Sequence, residues 1–257
     1  MDKIKNIVLI GAGNVATQFA YALENAGLQI IQVYSRTAES AEKLANELYT
    51  DFTTNTKQIV QDADLYVISV MDDAVGLLTD ELNFRDKLVV HTSGSLPMDI
   101  LKEVSKNFGV FYPLQTFSKT RKADFKSIPI CIEANTSDNE NLLLDLGSSI
   151  SENVQRIKSE KRKTLHLAAV FACNFPNFMY TIAEQILSNN KLDFKLLKPL
   201  IEETAAKVQS IDPIDAQTGP AKRSDSKIMD QHLDLLNDSP GFKDIYKLIS
   251  SEIQKIQ

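Results

Sequence analysis

The feature that most constrains the fold of this chain is a glycine-rich turn that directly follows its first apolar run. Aliphatic and β-branched residues occupy positions 7–10, and the residues after them read Gly11-Ala12-Gly13-Asn14-Val15-Ala16. The next segment carries apolar residues at helical spacing and ends at Gly27, a typical helix terminator. A short strand, a tight turn and a helix over residues 14–26 are therefore predicted, which is how a βαβ unit begins.

Further apolar, β-branched runs follow, separated by stretches with helical spacing. They lie at 30–33, 65–68, 88–90, 110–111 and 128–132. Near-continuous apolar strands are typical of a parallel sheet that helices cover on both faces, because neither side of such a strand meets water. The first half of the chain is thus predicted to be an α/β domain of the Rossmann type, with a doubly wound parallel sheet.

The strand signal ends near residue 157, and the rest of the chain has helical spacing. Ser159 is a predicted helix N-cap, with Glu160 in the first turn. The last helix has the clearest pattern, and its apolar positions are Phe242, Ile245, Tyr246, Ile249, Ile253 and Ile256. We therefore predict a Rossmann domain over residues 1–157 and an all-helical C-terminal domain over residues 158–257.

The composition narrows the class of the chain. Its 257 residues are 43% hydrophobic and 24% charged, which is usual for globular proteins and unlike disordered or fibrous ones. The longest apolar run, at 167–173, is much shorter than the roughly 20 residues of a transmembrane helix. The first ten residues lack the layout of a secretory signal. We expect a cytoplasmic protein that does not associate with membranes.

Charge and metal-ligating residues exclude two further classes. The net charge of -6 argues against general nucleic-acid binding, which needs a basic surface. Cys131 and Cys173 are not accompanied by a histidine or cysteine cluster, so each is interpreted as a buried thiol. The three histidines lie in separate segments without the spacing of metal ligands. No metal site is predicted.

The glycine turn carries the pattern G-x-G-x-x-A. Gly11 permits the tight turn, Gly13 lets the backbone come close to a pyrophosphate, and the small Ala16 lets helix and strand pack closely. Free backbone N–H groups at the helix N-terminus would face the anion. We predict dinucleotide binding through Gly11, Ala12, Gly13, Asn14 and Val15, against the alternative of a coincidental tight turn.

The nucleotide type should be read at the end of the second strand. An acidic residue there would bind the ribose hydroxyls of NAD, whereas this chain has Ser35, Arg36 and Thr37. Arg36 can form charge-assisted hydrogen bonds with a 2′-phosphate, and the two hydroxyls can donate to it. NADP is the predicted cofactor, and S-adenosylmethionine is disfavoured. The alternative is that Ser35 or Thr37 only caps the next helix and Arg36 is a solvated charge.

Other polar loops are predicted at the same sheet edge. Val70 and Met71 follow a buried strand and are expected to pack on the cofactor, while Asp72 and Asp73 are interpreted as stabilising the next helix through its dipole. The segments His91-Thr92-Ser93-Gly94-Ser95 and Tyr112-Pro113-Leu114-Gln115-Thr116 end two further strands. Their polar residues either form a substrate site or satisfy buried backbone groups.

The helical half holds further candidates. His166 and Asn174 flank the apolar run 167–173, so in an α-helix they lie about 12 Å apart along the axis and project within roughly 80° of each other. Pro176 should weaken this helix. A loop presents Arg223, and Asp225 either joins it or caps the next helix; His232 is interpreted as structural. The alternative for His166 and Asn174 is that each is a satisfied core residue.

On these residues the chain resembles a family of NADP oxidoreductases in which a Rossmann-like domain precedes a helical domain of unknown function. The resemblance covers essentially the whole chain and is carried by Gly11-Ala12-Gly13-Asn14, His91-Thr92-Ser93-Gly94, Tyr112-Pro113-Leu114-Gln115-Thr116-Phe117, His166, Asn174, Thr218-Gly219-Pro220, Arg223 and Asp225. More distantly it is similar to pyrroline-5-carboxylate reductase, deazaflavin-dependent NADP reductase and the 6-phosphogluconate dehydrogenase superfamily. The resemblance implies a homodimer built through the helical domains. It does not indicate a substrate.

Two departures from the relatives bear on the reaction. Hydroxyacid dehydrogenases of that superfamily carry a lysine four residues before a helical asparagine, and if Asn174 is that asparagine the lysine position holds Val170. Many relatives have histidine where this chain has Tyr112 before Pro113. Ordinary hydroxyacid chemistry is therefore disfavoured.

The expected activity is hydride transfer between NADPH and a small molecule with a C=O or C=N group, in a cleft between the domains. His166 or Tyr112 would supply a proton, since an ordinary histidine titrates near neutral pH, and Asn174, Ser93 and Arg223 would orient the substrate. The alternative is a non-catalytic NADP-binding module that senses redox state or organises a partner.

Overall fold

The structure is a computed structural model, and it describes residues 4–256. The strands form one mixed sheet in the first half of the chain. Their bounds are β1 Asn6–Ile10, β2 Gln29–Tyr34, β3 Asp51–Thr53, β4 Leu65–Ile68, β5 Arg85–His91, β6 Ser105–Pro113, β7 Ile130–Ala134 and β8 Val154–Arg156. The spatial order is β3-β2-β1-β4-β5-β6-β7-β8, which confirms the predicted Rossmann-type sheet.

One pair of strands corrects the expectation of a parallel sheet. β6 and β7 are antiparallel, with Phe111 opposite Ile132, while the other neighbouring pairs run parallel. Residues 114–129 between them contain only the short 3-10 helix Phe125–Ser127, so the chain folds back without a crossover helix. A parallel pair usually needs a crossover helix to return the chain to the starting edge of the sheet, and this segment contains no α-helix.

The α-helices of the first half connect parallel strands and cover both faces of the sheet. They are α1 Asn14–Asn25, α2 Ala38–Glu47, α3 Asp72–Thr79 and α4 Ser137–Ile150. Along β1, Ile7 and Leu9 belong to a core cluster with Phe19 of α1, whereas Val8 and Ile10 belong to a second cluster with Val75 of α3. Because both sets of side chains are buried, the apolar run needs no polar face, as predicted.

The helices of the second half are α5 Ser159–Ala169, α6 Phe175–Asn189, α7 Lys198–Lys207, α8 Pro213–Ala216, α9 Ser226–Leu235 and α10 Pro240–Lys255. The described residues form two compact units, one ending at Asn174 and the other beginning at Phe175. Thus α5 lies beyond the predicted change from strand to helix at residue 157 and yet belongs to the unit that contains the sheet. Its buried Arg162 explains this, because it forms an ion pair with Glu133 of β7.

The start of α5 also differs from the prediction. Lys158 occupies the N-cap position, and Ser159 is the first helical residue. The Ser159 hydroxyl donates to the Glu133 carboxylate (2.6 Å) and accepts from the backbone N–H of Met98 (3.1 Å). It is therefore occupied by tertiary contacts, which explains why it does not cap its own helix.

The chain passes from α5 to α6 through a π-helical segment, Val170–Asn174. Proline at position 176 cannot donate the backbone hydrogen bond that an α-helix needs. The wider π turn is formed by the residues just before this proline. The angle predicted between His166 and Asn174 assumed an unbroken α-helix, so it does not apply. Cys173 in this segment is only half-buried, which corrects the expectation of a buried thiol there; Cys131 is buried as predicted.

The second unit is helical over its described residues. Asp225 caps α9 by accepting from the backbone N–H of Ile228 (3.2 Å), and His232 lies 2.9 Å from the Tyr246 hydroxyl, in agreement with their structural interpretation. In residues 175–256, the apolar side chains that are buried are Ala221 and Leu236. Within residues 4–256 no helix is long and apolar enough to cross a membrane.

Candidate functional site

A cavity of about 930 Å³ lies at the carboxyl edge of the sheet. It is lined by residues at the ends of β2 and β6, by residues that follow β1, β2, β4, β5 and β6, and by one residue of α5. All of its walls therefore belong to the first unit. Ligands of open α/β sheets bind at this edge. Every residue predicted to bind the cofactor lines the cavity, and so do Ser93, Tyr112 and His166 among the catalytic candidates.

The two glycines of the turn have different reasons to lack a side chain. Gly11 has a φ of +126°, and its N–H donates to the carbonyl of Tyr34 at 2.7 Å. A β-carbon there would overlap the carbonyl oxygen of Ser69, so the protein itself requires glycine. A β-carbon on Gly13 would meet no protein atom within 4 Å. The packing of the protein therefore does not explain Gly13.

The helix N-terminus behind this turn is suited to an anion. Gly13 is the N-cap residue of α1 in an extended conformation, and it has no side chain with which to cap. The first turn of α1 contains no acidic residue, so nothing in the helix neutralises its positive end. Unpaired backbone N–H groups at such an end bind phosphate, and the residues present therefore fit the pyrophosphate of a dinucleotide.

The residues after β2 are also consistent with the prediction. Thr37 occupies the N-cap position of α2, but its side chain makes no capping hydrogen bond. Arg36 is exposed, and none of the salt bridges within residues 4–256 involves it. The alternative that the Thr37 hydroxyl serves as a cap is thus wrong, and Ser40, also on the cavity wall, adds another hydroxyl.

The loop after β4 begins with Val70, which is half-buried, and Met71, which is 72% exposed. Asp72 and Asp73 lie in the first turn of α3, where their charges complement the helix dipole as expected. Asp72 also accepts a hydrogen bond from the Ser95 hydroxyl, so it joins the loop after β4 to the loop after β5.

Tyr112 and His166 meet in the cavity. The Tyr112 hydroxyl lies 3.1 Å from Nδ1 of His166, and the two rings are arranged edge to face, with centroids 6.0 Å apart. Gly94 is pressed against the pair, since a β-carbon on it would lie 2.7 Å from His166 Nδ1 and 2.9 Å from Tyr112 Cζ. The absence of a side chain at Gly94 is what lets the β5 loop approach both rings.

Burial is the main reason why the pKa of Tyr112 rises to about 12, and the nearby Cys131 and Asp72 add to the rise while Arg162 opposes it. The Tyr112 phenol is therefore protonated at neutral pH. When the proton of a neutral His166 is on Nε2, the phenol donates to Nδ1; the opposite tautomer reverses the bond. The pair can thus hold a proton at a defined place in the cavity and pass it between two atoms.

Ser93 has a structural role in addition to its place on the cavity wall. Its hydroxyl oxygen accepts from the backbone N–H groups of Ser95 and Leu96, both at 3.1 Å. The hydroxyl proton is not used in either bond, so it is available to a neighbour, and Ser95 Oγ lies 3.3 Å away. The interpretation of Ser93 as a loop-ordering residue is therefore confirmed, and a contact with substrate stays a prediction.

His91 is fully buried and does not line the cavity. Its Nδ1 accepts from the N–H of Ser93 (3.2 Å), and its Nε2 lies 3.3 Å from the carbonyl of Pro97. Burial, with a further contribution from Arg162, lowers the pKa of His91 to about 4. A neutral ring with its proton on Nε2 satisfies both contacts, so His91 orders the loop that carries Ser93 and Gly94.

Asn174 and Arg223 do not line this cavity. Asn174 is exposed and ends the π-helical segment, and Arg223 is exposed in the second unit. Their proposed contacts with substrate stay predictions. In residues 4–256 there is no group of three or more His, Cys, Asp and Glu side chains placed to hold a metal ion.

Sequence reasoning missed several residues of the site. Lys119, from the loop after β6, lines the cavity beside the predicted Gln115, and the buried Arg162 lies one helical turn before His166. Arg162 stands between Lys161 and Lys163 in a polar helix start, where a solvated charge is the usual interpretation. Its burial has no local sequence signal, because its partner Glu133 is 29 residues away.

Comparisons with known proteins identify the family of the chain. Residues 6–94 match the family model described as NADP oxidoreductase, coenzyme F420-dependent. Residues 128–253 match a domain of unknown function, DUF2520. The crystal structure of “putative NADP oxidoreductase BF3122” from Bacteroides fragilis is 45% identical, with a TM-score of 0.94, and the match covers 98% of each chain. This chain belongs to that family of NADP oxidoreductases.

Less similar structures share the fold of this NADP oxidoreductase family member. Protein TM1727 from Thermotoga maritima is 23% identical with a TM-score of 0.78, over 97% of this chain and 99% of that one. A 1-pyrroline-5-carboxylate reductase from Streptococcus pyogenes is 14% identical with a TM-score of 0.63, over 97% and 98% of the two chains. No curated protein sequence matches the chain.

Proposed function

We propose that this protein is an NADP-dependent oxidoreductase that reduces or oxidises a small molecule at a C=O or C=N group in the cavity of the first unit. The observation that carries the proposal is that the glycine turn, Arg36 and the Tyr112–His166 pair line the same cavity. When bound, NADP would supply or accept the hydride. The protein would bind and orient the cofactor and the substrate, and it would move a proton.

The residues around the glycine turn and at the end of β2 would bind the cofactor. Backbone N–H groups at the start of α1 would bind the pyrophosphate, which needs close approach at Gly13. Arg36, with Ser35 and Thr37, would bind the 2′-phosphate through charge-assisted hydrogen bonds. Val70 and Met71 offer apolar surface for a ring. The set at the end of β2 contains one cation and two hydroxyls, which suits a phosphate better than a free ribose hydroxyl.

The proton is assigned to Tyr112 and His166. Hydride addition to a C=O or C=N group leaves an oxygen or nitrogen that must be protonated, and the reverse reaction needs a base at the same place. The 3.1 Å contact lets Tyr112 exchange a proton with His166. Ser93 would donate its hydroxyl proton to the substrate. Asn174→Ala and Arg223→Ala test whether those two residues contribute to turnover.

A non-catalytic NADP-binding module is the competing function. It would need the glycine turn and Arg36 but not a polar pair of titratable rings beside them. Tyr112→Phe removes the hydroxyl and keeps the ring. We expect this variant to bind NADP+ as the wild type does and to lose NADPH oxidation in a screen of small carbonyl and imine compounds. No NADPH oxidation by the wild type with any compound would favour the binding module.

The experiment that tests cofactor binding is Gly13→Ala. Because a β-carbon there meets no protein atom within 4 Å, we expect the free energy of unfolding to change by about 1 kcal/mol or less. Loss of close approach should weaken NADP+ binding at least about tenfold, measured by calorimetry. Gly241→Ala, also in open space but in the second unit, is the matched control. Unchanged affinity in Gly13→Ala would refute the placement of the cofactor.

We further propose that the protein is a homodimer that associates through its second unit. Several large apolar side chains of that unit are exposed, among them Leu196 (67%), Leu235 (83%) and Leu248 (63%). Several exposed large apolar side chains in one unit are typical of a subunit interface. Light scattering after gel filtration should give twice the mass of 28.7 kDa. A monomer at micromolar concentration would refute the proposal.

A further inference from the structure

Arg162 is the largest fully buried side chain of the described residues, and it is not on the cavity wall. We propose that Arg162 and Glu133 are positioning residues that hold His166 against Tyr112. The inference rests on the proposed function, since it concerns the pair assigned to proton transfer. The geometry points to it because Arg162 and His166 are four residues apart on α5 and thus lie on one face of that helix.

The Arg162 guanidinium joins α5 to two other parts of the first unit. Its Nη1 donates to the Glu133 carboxylate of β7 at 2.8 Å, and its Nη2 donates to the carbonyl of Leu96 at 2.5 Å. Nη2 also donates to the Ser159 hydroxyl (3.1 Å), which itself donates to Glu133. One charged group therefore sets the distance from α5 to β7 and to the β5 loop.

The same two elements that Arg162 joins to α5 flank the Tyr112–His166 pair. Leu96 belongs to the loop whose Gly94 packs directly on His166 and Tyr112. Glu133 lies on β7, which pairs with β6, and Tyr112 is on β6 opposite Cys131. A shift of α5 by a fraction of an ångström would therefore change the 3.1 Å contact between Tyr112 and His166 directly.

A stabilising role alone does not account for the choice of this ion pair. Burying a guanidinium carries a desolvation penalty that an apolar side chain would avoid, and Nε of Arg162 is left without a partner within residues 4–256. The buried pair contributes directional hydrogen bonds to three elements, which an apolar residue cannot supply. Precise placement of α5 is the consequence that the geometry supports.

The test uses the imidazole resonances of the three histidines, followed by NMR in Arg162→Met and Glu133→Gln. His166→Gln assigns the His166 signal. We expect the His166 ring signal to shift or broaden in both variants, while the signal of His232 in the second unit stays unchanged. Arg162→Lys, which keeps the charge on a single donor nitrogen, should restore part of the wild-type signal.

The matched control is the Arg156–Glu140 ion pair, which has the same chemistry at 2.9 Å but is partly exposed. Arg156→Met and Glu140→Gln should leave the His166 signal unchanged. A wild-type His166 signal in Arg162→Met would overturn the proposal. If that variant does not fold, the double variant Arg162→Met with Glu133→Gln, which leaves no unpaired buried charge, takes its place with the same two outcomes.

NADP+ affinity separates this inference from the proposed function. Because neither Arg162 nor Glu133 lines the cavity, we expect NADP+ dissociation constants within about twofold of wild type in every positioning variant. A wild-type protein that does not bind NADP+ would refute the proposed function and would leave the histidine measurement valid. A tenfold loss of NADP+ affinity in Arg162→Lys, with an unchanged His166 signal, would refute the positioning role.

Discussion

Replacing Gly94 with alanine tests whether the β5 loop is fitted to the Tyr112–His166 pair. The new β-carbon would lie 2.7 Å from Nδ1 and 2.8 Å from Cγ of His166, and 2.9 Å from Cζ of Tyr112. Ordinary contact lies near roughly 3.5 Å, so either the rings or the loop must move by more than about half an ångström. Neither Cγ nor Cζ is the free end of a flexible side chain, so the movement displaces whole rings.

The magnitude follows from overpacking. One extra methyl group in a closely packed place costs about 1–3 kcal/mol. In a unit of this size that lowers the midpoint of thermal unfolding by roughly 2–4 °C per kcal/mol. The 3.1 Å contact between the Tyr112 hydroxyl and His166 Nδ1 should lengthen past hydrogen-bonding distance. We therefore expect Gly94→Ala to lower the free energy of unfolding and to stop proton exchange between Tyr112 and His166.

The assay combines urea denaturation, followed by circular dichroism, with the His166 imidazole signal in NMR spectra. Gly76→Ala is the matched control, because Gly76 lies inside α3 and a β-carbon there meets no atom within 4 Å. Alanine in a helix interior stabilises by roughly 0.5–1 kcal/mol relative to glycine, so the control should change in the opposite direction. A Gly94→Ala protein as stable as the wild type, with an unchanged His166 signal, would refute the reasoning.

Two further predictions concern stability. Gly11→Ala should cost about 3 kcal/mol or more, seen as loss of folded protein in circular dichroism, because its β-carbon would overlap the Ser69 carbonyl and its φ of +126° is strained for alanine; wild-type stability would contradict this. For His91, the pKa of about 4 in the folded protein lies below the usual value of 6.5. Between these two pH values only the unfolded chain binds the proton, so the free energy of unfolding falls as the pH falls from 6.5 to about 4. The loss amounts to about 3 kcal/mol, and His91→Asn should remove that part of the pH dependence in denaturation curves measured from pH 7 to pH 4.

Much of the sheet could be predicted because buried parallel strands leave a local signal. The apolar runs at 7–10, 30–33, 65–68 and 128–132 all lie in strands or at their ends. The three-residue edge strands β3 and β8 have too few residues to show a pattern. The antiparallel direction of β7 depends on the loop 114–129, whose only regular element is one short 3-10 helix.

The site divides in the same way. The glycine turn and Arg36 could be recognised because each has its signal within a few neighbouring residues of the sequence. Tyr112 and His166 could each be suspected, but their contact spans 54 residues and depends on how α5 packs. Arg162 could not be found, since its burial is decided by Glu133 and Leu96, which no local pattern connects to it. Asn174 was placed by assuming a regular α-helix, and the π turn removes that basis.

The central claim is that NADP binds at the glycine turn and is recognised by Arg36. Its most direct test is calorimetric titration of the wild type and Arg36→Ala with NADP+ and NAD+. Loss of a hydrogen bond to a charged group costs about 1.5–3 kcal/mol, so NADP+ affinity should fall roughly 10- to 150-fold in Arg36→Ala, while NAD+ affinity stays the same. Tighter binding of NAD+ than of NADP+ by the wild type, or an equal loss for both in the variant, would contradict the claim.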